Sequence, residues 1–153
     1  MTDNGRKGYS NELHCMAEMV KYGCDVSIPY GNGSRYDVVV DFKGHSFKVQ
    51  CKASKLTPRV QGSFEFEVRS KGRYKDEIIN NPYTKDQIDY FATWFDGKCY
   101  LIPVEECGTS VKALRFAPCL TKCNEHKANW AADYELGKML GELEASWYDK
   151  EAN

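Results

Sequence analysis

The stretch "DVVVDFKGHSFKVQCKA", residues 37–53, leaves few ways to fold. Val38, Val40, Phe47, Val49 and Cys51 alternate with polar residues, the period of half-buried strands, and Lys43-Gly44 between them suits a two-residue turn. Counting outward from that turn pairs Phe42 with His45, Val40 with Phe47 and Val38 with Val49, and sets Asp37 opposite Gln50. A slip of one residue would turn the valines to water, so burial specifies the register. The face away from the core carries Asp37, Asp41, Lys48, Gln50 and Lys52. Paired residues have Cβ atoms about 4.5–5.5 Å apart, and Lys52, two residues past Gln50, shares its face. An acid, an amide and an amine therefore meet in one patch.

The remaining elements follow from periodicity and punctuation. Leu13, Met16, Ala17 and Val20 have helical spacing, which places a helix at about 9–22, stopped by Gly23. "DVSIPYGNGSR" gives a short strand to Ile28 and a Gly-rich approach to the hairpin. "SFEFEVRS" (63–70) alternates as a strand, and "KGRYKDEIINNPYT" is expected to be a loop, with Asn80-Asn81-Pro82 breaking any helix. Ile88, Phe91, Ala92 and Phe95 repeat the helical spacing, closed by Asp96-Gly97. "KCYLIPVEE" follows as a buried strand, and Trp130, Tyr134, Leu136, Leu140, Leu143 and Trp147 set a last helix at about 128–147. The order predicts an α/β protein, a central mixed β-sheet flanked by helices, in a single domain over 1–153.

Charge is uneven. Residues 43–75 hold nine Lys and Arg against Glu65 and Glu67, whereas 133–151 hold six acids against Lys138 and Lys150; the formal net charge is −1. The basic middle suits either a phosphate backbone or a solvated charged face. No apolar run approaches the ~18 residues of a membrane span, and the polar start "MTDNGRKGYS" lacks a signal-peptide core, so a cytoplasmic, intracellular protein with reduced thiols is expected from its seven cysteines.

The patch on the hairpin fits two readings. One is a cross-strand ion pair between Asp37 and Lys52. The other is chemical: a hard divalent cation takes carboxylate and neutral oxygens, and a nearby ammonium can orient a water and hold charge developing on phosphoryl oxygens. Metal-assisted phosphodiester hydrolysis suits such a site.

Asp37 followed by Gln50-x-Lys52 on the next strand resembles the PD-(D/E)XK nuclease superfamily. "VSIPYG", "RYDVVVDF", "VQCKAS", "DQIDYFATWFDGKCYLIPVEE" and "NWAADYEL" are similar to its homing endonuclease branch, encoded within group I introns, where Gln takes the acid position. The resemblance implies a restriction-endonuclease-like core and a Mg²⁺-dependent DNA endonuclease, with Mn²⁺ as a substitute. It makes Asp37 the principal metal ligand, Gln50 a neutral ligand through its amide oxygen and Cys51 a ligand through its backbone carbonyl. Lys52 positions the water, and Glu12 serves as an additional acid near or on the metal. An amide brings no negative charge, so one metal and two both stay open.

A nuclease also needs a grip on its substrate. Ser34 and Arg35 precede Asp37, and Lys55, Arg59, Arg69, Lys71, Arg73 and Lys75 follow the motif, so the strand-loop segment 55–75 is expected to bind double-stranded DNA as a groove-reading ribbon. Cutting both strands favours a homodimer, and the resemblance permits a homotetramer, with the C-terminal helix either in that contact or in the core. Two other functions stay open: a structure-specific nuclease of the junction-resolvase or repair type, and a non-catalytic DNA-binding module. Cys119, Cys123 and His126 in "CLTKCNEH", with Cys107 or Cys99 as a fourth ligand, have partial zinc spacing but follow no common finger pattern, so structural zinc is set aside.

Overall fold

The computed structural model describes residues 1–119 and 128–153. In chain order it has α1 (Asp3–Lys21), β1 (Asp25–Ser27), β2 (Val38–Phe42), β3 (His45–Cys51), β4 (Ser54–Leu56), β5 (Ser63–Glu67), β6 (Arg69–Tyr74), β7 (Glu77–Pro82), β8 (Tyr90–Phe95), β9 (Lys98–Pro103), β10 (Val111–Arg115) and α2 (Leu136–Glu151). Short 3₁₀ turns cover Val104–Glu106 and Ala131–Tyr134. Among the described residues, no helix is long and apolar enough to cross a membrane.

The central sheet is mixed, in the order β1-β2-β3-β8-β9, and only its β3–β8 pair is parallel. The β2–β3 register is the expected one: Val38 faces Val49, Val40 faces Phe47 and Phe42 faces His45. Val38, Val40 and Val49 are fully buried, each stabilising the fold by about 1.5–3 kcal/mol.

Both helices lie on the face of the sheet that presents Cys51, Ala92 and Cys99. Cys15 of α1 is buried with Cys51 and Cys99 in the core cluster, and Trp147 of α2 stacks on His45 at 3.7 Å. The helices meet where Gly137 passes Tyr22; a Cβ there would fall 2.6 Å from the tyrosine ring. The opposite face is covered by a second sheet, β10-β5-β4, whose Phe64 stacks on Phe95 at 4.2 Å and whose Phe66 tilts against Phe91 at 5.9 Å. The third sheet is the two-stranded ribbon β6–β7.

Four expectations need correction. The helix expected over Ile88–Phe95 is strand β8. Phe91, Ala92 and Thr93 are buried in succession, so the apolar run shows no period of two, and the helical spacing is accidental. The Asp96-Gly97 pair there is a hairpin turn to β9, with both residues at positive φ.

The expected loop after Ser70 is the ribbon β6–β7, whose strands are polar and wholly exposed beyond Ser70 and so lack the alternation that marks a strand. The first helix starts six residues earlier than about 9, because Thr2 Oγ1 caps it by accepting from Gly5 N–H at 3.2 Å. Its buried face is Asn11, Cys15 and Met19, whereas Leu13 and Val20 are 63% and 60% exposed. Asn11 hid that face by being polar: its Oδ1 accepts the Trp94 N–H at 2.7 Å. The last helix begins at Leu136 rather than about 128, behind a 3₁₀ turn, and runs to Glu151.

Candidate active site

The end of the central sheet where β2 begins and β3 stops gathers the expected residues. Asp37 precedes β2, and its N–H donates to the Val49 carbonyl at 2.9 Å. On the facing strand, Gln50 Nε2 donates to Asp37 Oδ2 at 2.7 Å and the Cys51 N–H donates to the same oxygen at 2.8 Å. Both bonds fall on Oδ2, and no hydrogen bond to Oδ1 is made among the described residues. The Lys52 N–H donates to Ala92 of β8 at 2.9 Å, which carries the motif strand rigidly past the site.

Lys52 does not close an ion pair on Asp37. Its Nζ donates to the Arg69 carbonyl at 3.2 Å and sits 5.0 Å from the centre of the Tyr83 ring. Arg35 stacks on the same ring, 3.9 Å from its centroid. Two cations thus lie against the Tyr83 ring, one of them the motif lysine. Spacing in the sequence carried no sign of this role.

Glu12 of α1 reaches the same end of the sheet. Burial raises its carboxyl above the ordinary value, and the charge of Asp37 raises it further. Burial also raises the Asp37 carboxyl, against the Cys51 N–H and the Lys52 ammonium, which pull it down. Two half-buried carboxyls that both resist ionisation are what a cation would relieve.

No three His, Cys, Asp or Glu side chains form a metal cluster among the described residues. The donors here are mixed: the carboxylates of Asp37 and Glu12, the amide oxygen of Gln50 and the carbonyl of Cys51. Such an all-oxygen set suits Mg²⁺ or Mn²⁺ and would be a poor match for a soft ion. The Cys51 carbonyl now accepts weakly from Gln50 Nε2 at 3.3 Å, a bond that rotation of the amide would release.

The basic residues separate into distinct places. Arg35 is half-buried and acts as a pin: it donates to Ser70 Oγ at 2.7 Å, to the carbonyls of Pro82 at 2.9 Å and Asn81 at 3.3 Å, and to Gln87 Oε1 at 3.3 Å. Ser34 is exposed beside it. Lys55 lies on β4, 3.8 Å from Glu65, and Arg59 sits at positive φ in the following turn. Arg69, Lys71 and Arg73 line β6, and Lys75 is at its turn. Lys71 bonds Glu67 at 2.6 Å, and the charges of Lys71, Arg69 and Lys52 all lower the Glu67 carboxyl. That carboxylate therefore links the motif lysine to the ribbon.

A cleft of about 510 Å³ beside Lys52, lined by Lys7, Ser54, Lys55, Glu65 and Glu67 among others, opens next to the motif. Of the alternative zinc ligands, Cys99 is buried in the core and Cys107 Sγ donates to the Pro103 carbonyl at 3.5 Å. Cys119 is half-buried, while Cys123 and His126 lie outside the described residues.

The family model described as PD-(D/E)XK endonuclease matches residues 2–137. No curated protein sequence matches this one. Among solved structures, that of the bacterial homing endonuclease I-Ssp6803I superposes with a TM-score of 0.73, covering 95% of this chain and 97% of that one at 21% identity. At that identity the likeness is one of fold.

Proposed function

Because this chain belongs to the PD-(D/E)XK endonuclease family, we propose that it is a metal-dependent, site-specific endonuclease acting on double-stranded DNA inside the cell. The observation that carries this reading is the convergence of Asp37, Gln50, Lys52 and Glu12 at one end of the sheet, with Asp37 and Gln50 in direct contact at 2.7 Å. The fold shared with a bacterial homing endonuclease supports the homing type.

Asp37 and Glu12 would be the charged ligands for Mg²⁺ or Mn²⁺, with the Gln50 amide and the Cys51 carbonyl as neutral ones. When bound, the ion acts as a Lewis acid on a phosphate oxygen and makes water a better nucleophile near neutral pH. The chain's own part is positional. Oδ2 of Asp37 stays fixed by Gln50 and the Cys51 N–H, which orients the carboxylate. Lys52, poised by Arg69 and Tyr83, orients the attacking water and neutralises charge building on the phosphoryl oxygens. Arg35 holds the ribbon base, and Ser34, Lys55, Arg59, Arg69, Lys71, Arg73 and Lys75 supply the DNA contacts, of which those to phosphate weaken with salt. A symmetric pair of subunits places two such sites on the two strands, and a tetramer is a further assembly of that pair.

Cleavage of supercoiled and linear DNA carrying candidate sites tests this. Wild type with Mg²⁺ is expected to cut at one sequence and to stop on chelation. Lys52→Ala is expected to lower the rate by about 10²–10⁴-fold with duplex binding retained. Equal cutting by Lys52→Ala would refute the assignment, and a preference for branched over plain duplex would move it to the junction-resolvase class.

A further inference from the structure

The β6–β7 ribbon has two unlike faces. Its register pairs Arg69 with Pro82, Lys71 with Asn80 and Arg73 with Ile78, and these six side chains share one face, since paired residues lie on the same side and successive ones alternate. The other face holds Ser70, Gly72, Tyr74, Glu77, Ile79 and Asn81. The first face is continuous with the catalytic end of the sheet: Lys52 bonds the Arg69 carbonyl, and Glu67 lies among Lys52, Arg69 and Lys71. The second face meets the body at its base, where Arg35 grips Ser70 and the Asn81 carbonyl.

A bare two-stranded β-ribbon is a shape that the major groove of duplex DNA admits. From Arg69 to Arg73 the strand advances about 13 Å, at about 3.3 Å per residue, which is roughly four base-pair steps of about 3.4 Å. Near the site, Arg69 and Lys71 suit phosphates. Farther out the chemistry changes to that of base edges. Arg73 offers two parallel donors, the fork that matches guanine O6 and N7, and Asn80 offers the donor–acceptor pair that matches adenine N6 and N7. Ile78, beside Arg73, is 63% exposed, an apolar surface in a polar ribbon that suits a thymine methyl.

Resting on the endonuclease reading above, we propose that Arg73 and Asn80, with Ile78 between them in chain order, are specificity-determining residues. They read the major groove about four base pairs from the scissile phosphate. Asn80 comes from the strand that looked like a loop in the sequence, so the reading set spans both strands of the ribbon.

The test is a randomised duplex DNA library offered to the full-length wild type and to Arg73→Ala, Asn80→Ala and Glu77→Ala. It is read twice, by sequencing duplexes retained in EDTA and by sequencing ends cut in Mg²⁺. Each of the first two variants is expected to lose about 5- to 150-fold of base preference at one or two adjacent positions. Those positions lie about four pairs from the cut, and Glu77→Ala, on the other face, keeps the wild-type preference. Unchanged preferences in Arg73→Ala and Asn80→Ala overturn the proposal, as does a wild type that retains duplexes without sequence preference. Selective retention without cutting upholds the ribbon assignment and refutes the catalytic one. Matching thermal melts for all four proteins show that the changes are not losses of folding.

Discussion

Two hairpins, β2–β3 and β6–β7, each turn through two residues at positive φ, yet they are held by opposite means. In β2–β3, the Val38–Val49 and Val40–Phe47 pairs, their three valines without exposed surface, lock the register from within. In β6–β7, every residue from Lys71 to Pro82 is exposed, and among the described residues the ribbon is fixed at its base, by Arg35, Tyr83 and Lys52. Function divides along the same line. The proposed cation ligands Asp37, Gln50 and Cys51 belong to the buried hairpin, and the proposed groove-reading surface stands on the free one.

Matched truncations give the largest expected contrast in stability. Val40→Ala removes buried methyl groups from a site that cannot collapse and should lower unfolding free energy by about 2 kcal/mol, whereas Ile78→Ala should change it by less than about 0.5 kcal/mol. Chemical denaturation of both variants checks this, and equal losses would mean that the ribbon is packed in solution. Arg35→Ala should come next. Losing the pin is expected to cost about 1 kcal/mol locally and to speed amide hydrogen exchange in β6–β7 while leaving β2–β3 protected. A uniform increase would show that the two hairpins open together.

The buried hairpin also carries a pH signature. The Glu12 and Asp37 carboxyls are both raised on folding, so the stability they contribute is fully present below their ordinary values and is lost as pH rises through the folded ones. Without divalent ion, Glu12→Gln should therefore be more stable than wild type at neutral pH, with the gap narrowing as pH falls towards the ordinary glutamate value. Added Mg²⁺ should stabilise wild type by about 2.7 kcal/mol at a hundred times its dissociation constant, for a site that binds only the folded state, and the variant by less at the same concentration. Thermal melts at several pH values, with and without the ion, read both effects.

The smallest effect concerns the turns. Lys43-Gly44 and Asp96-Gly97 place glycine second, at φ 82° and 78°, but the ribbon turn Lys75-Asp76 has Asp76 at φ 66°. Asp76→Gly should stabilise the ribbon by a few tenths of a kcal/mol, visible in exchange rates at the tip and absent from β2–β3. A loss of protection would show that the Asp76 side chain supports the turn.

How far the sequence could be read varied by element, for definite reasons. The β2–β3 register was legible because one face is buried and the other wet, so alternation recorded the pairing directly. Asp37, Gln50 and Lys52 came with it, since their meeting depends only on that register. The ribbon was not legible, because strands exposed on both faces leave no hydrophobic period, and the polar run read as a loop. Strand β8 was misread for the opposite reason: burial on both faces left a solid apolar run, and helix spacing fitted it by chance. The buried face of α1 was hidden by Asn11, whose polarity is explained only by the Trp94 N–H it meets.

The sequence by itself determined what rests on neighbours along the chain: the β2–β3 hairpin, its turn, and the acid, amide and amine sharing one face. Tertiary structure alone decided that Lys52 turns to Arg69 and Tyr83 rather than to Asp37, that Arg35 pins a ribbon, and that Glu12 stands beside Asp37. Those contacts join residues far apart in the chain, and their energies depend on burial and distance, which no local pattern encodes.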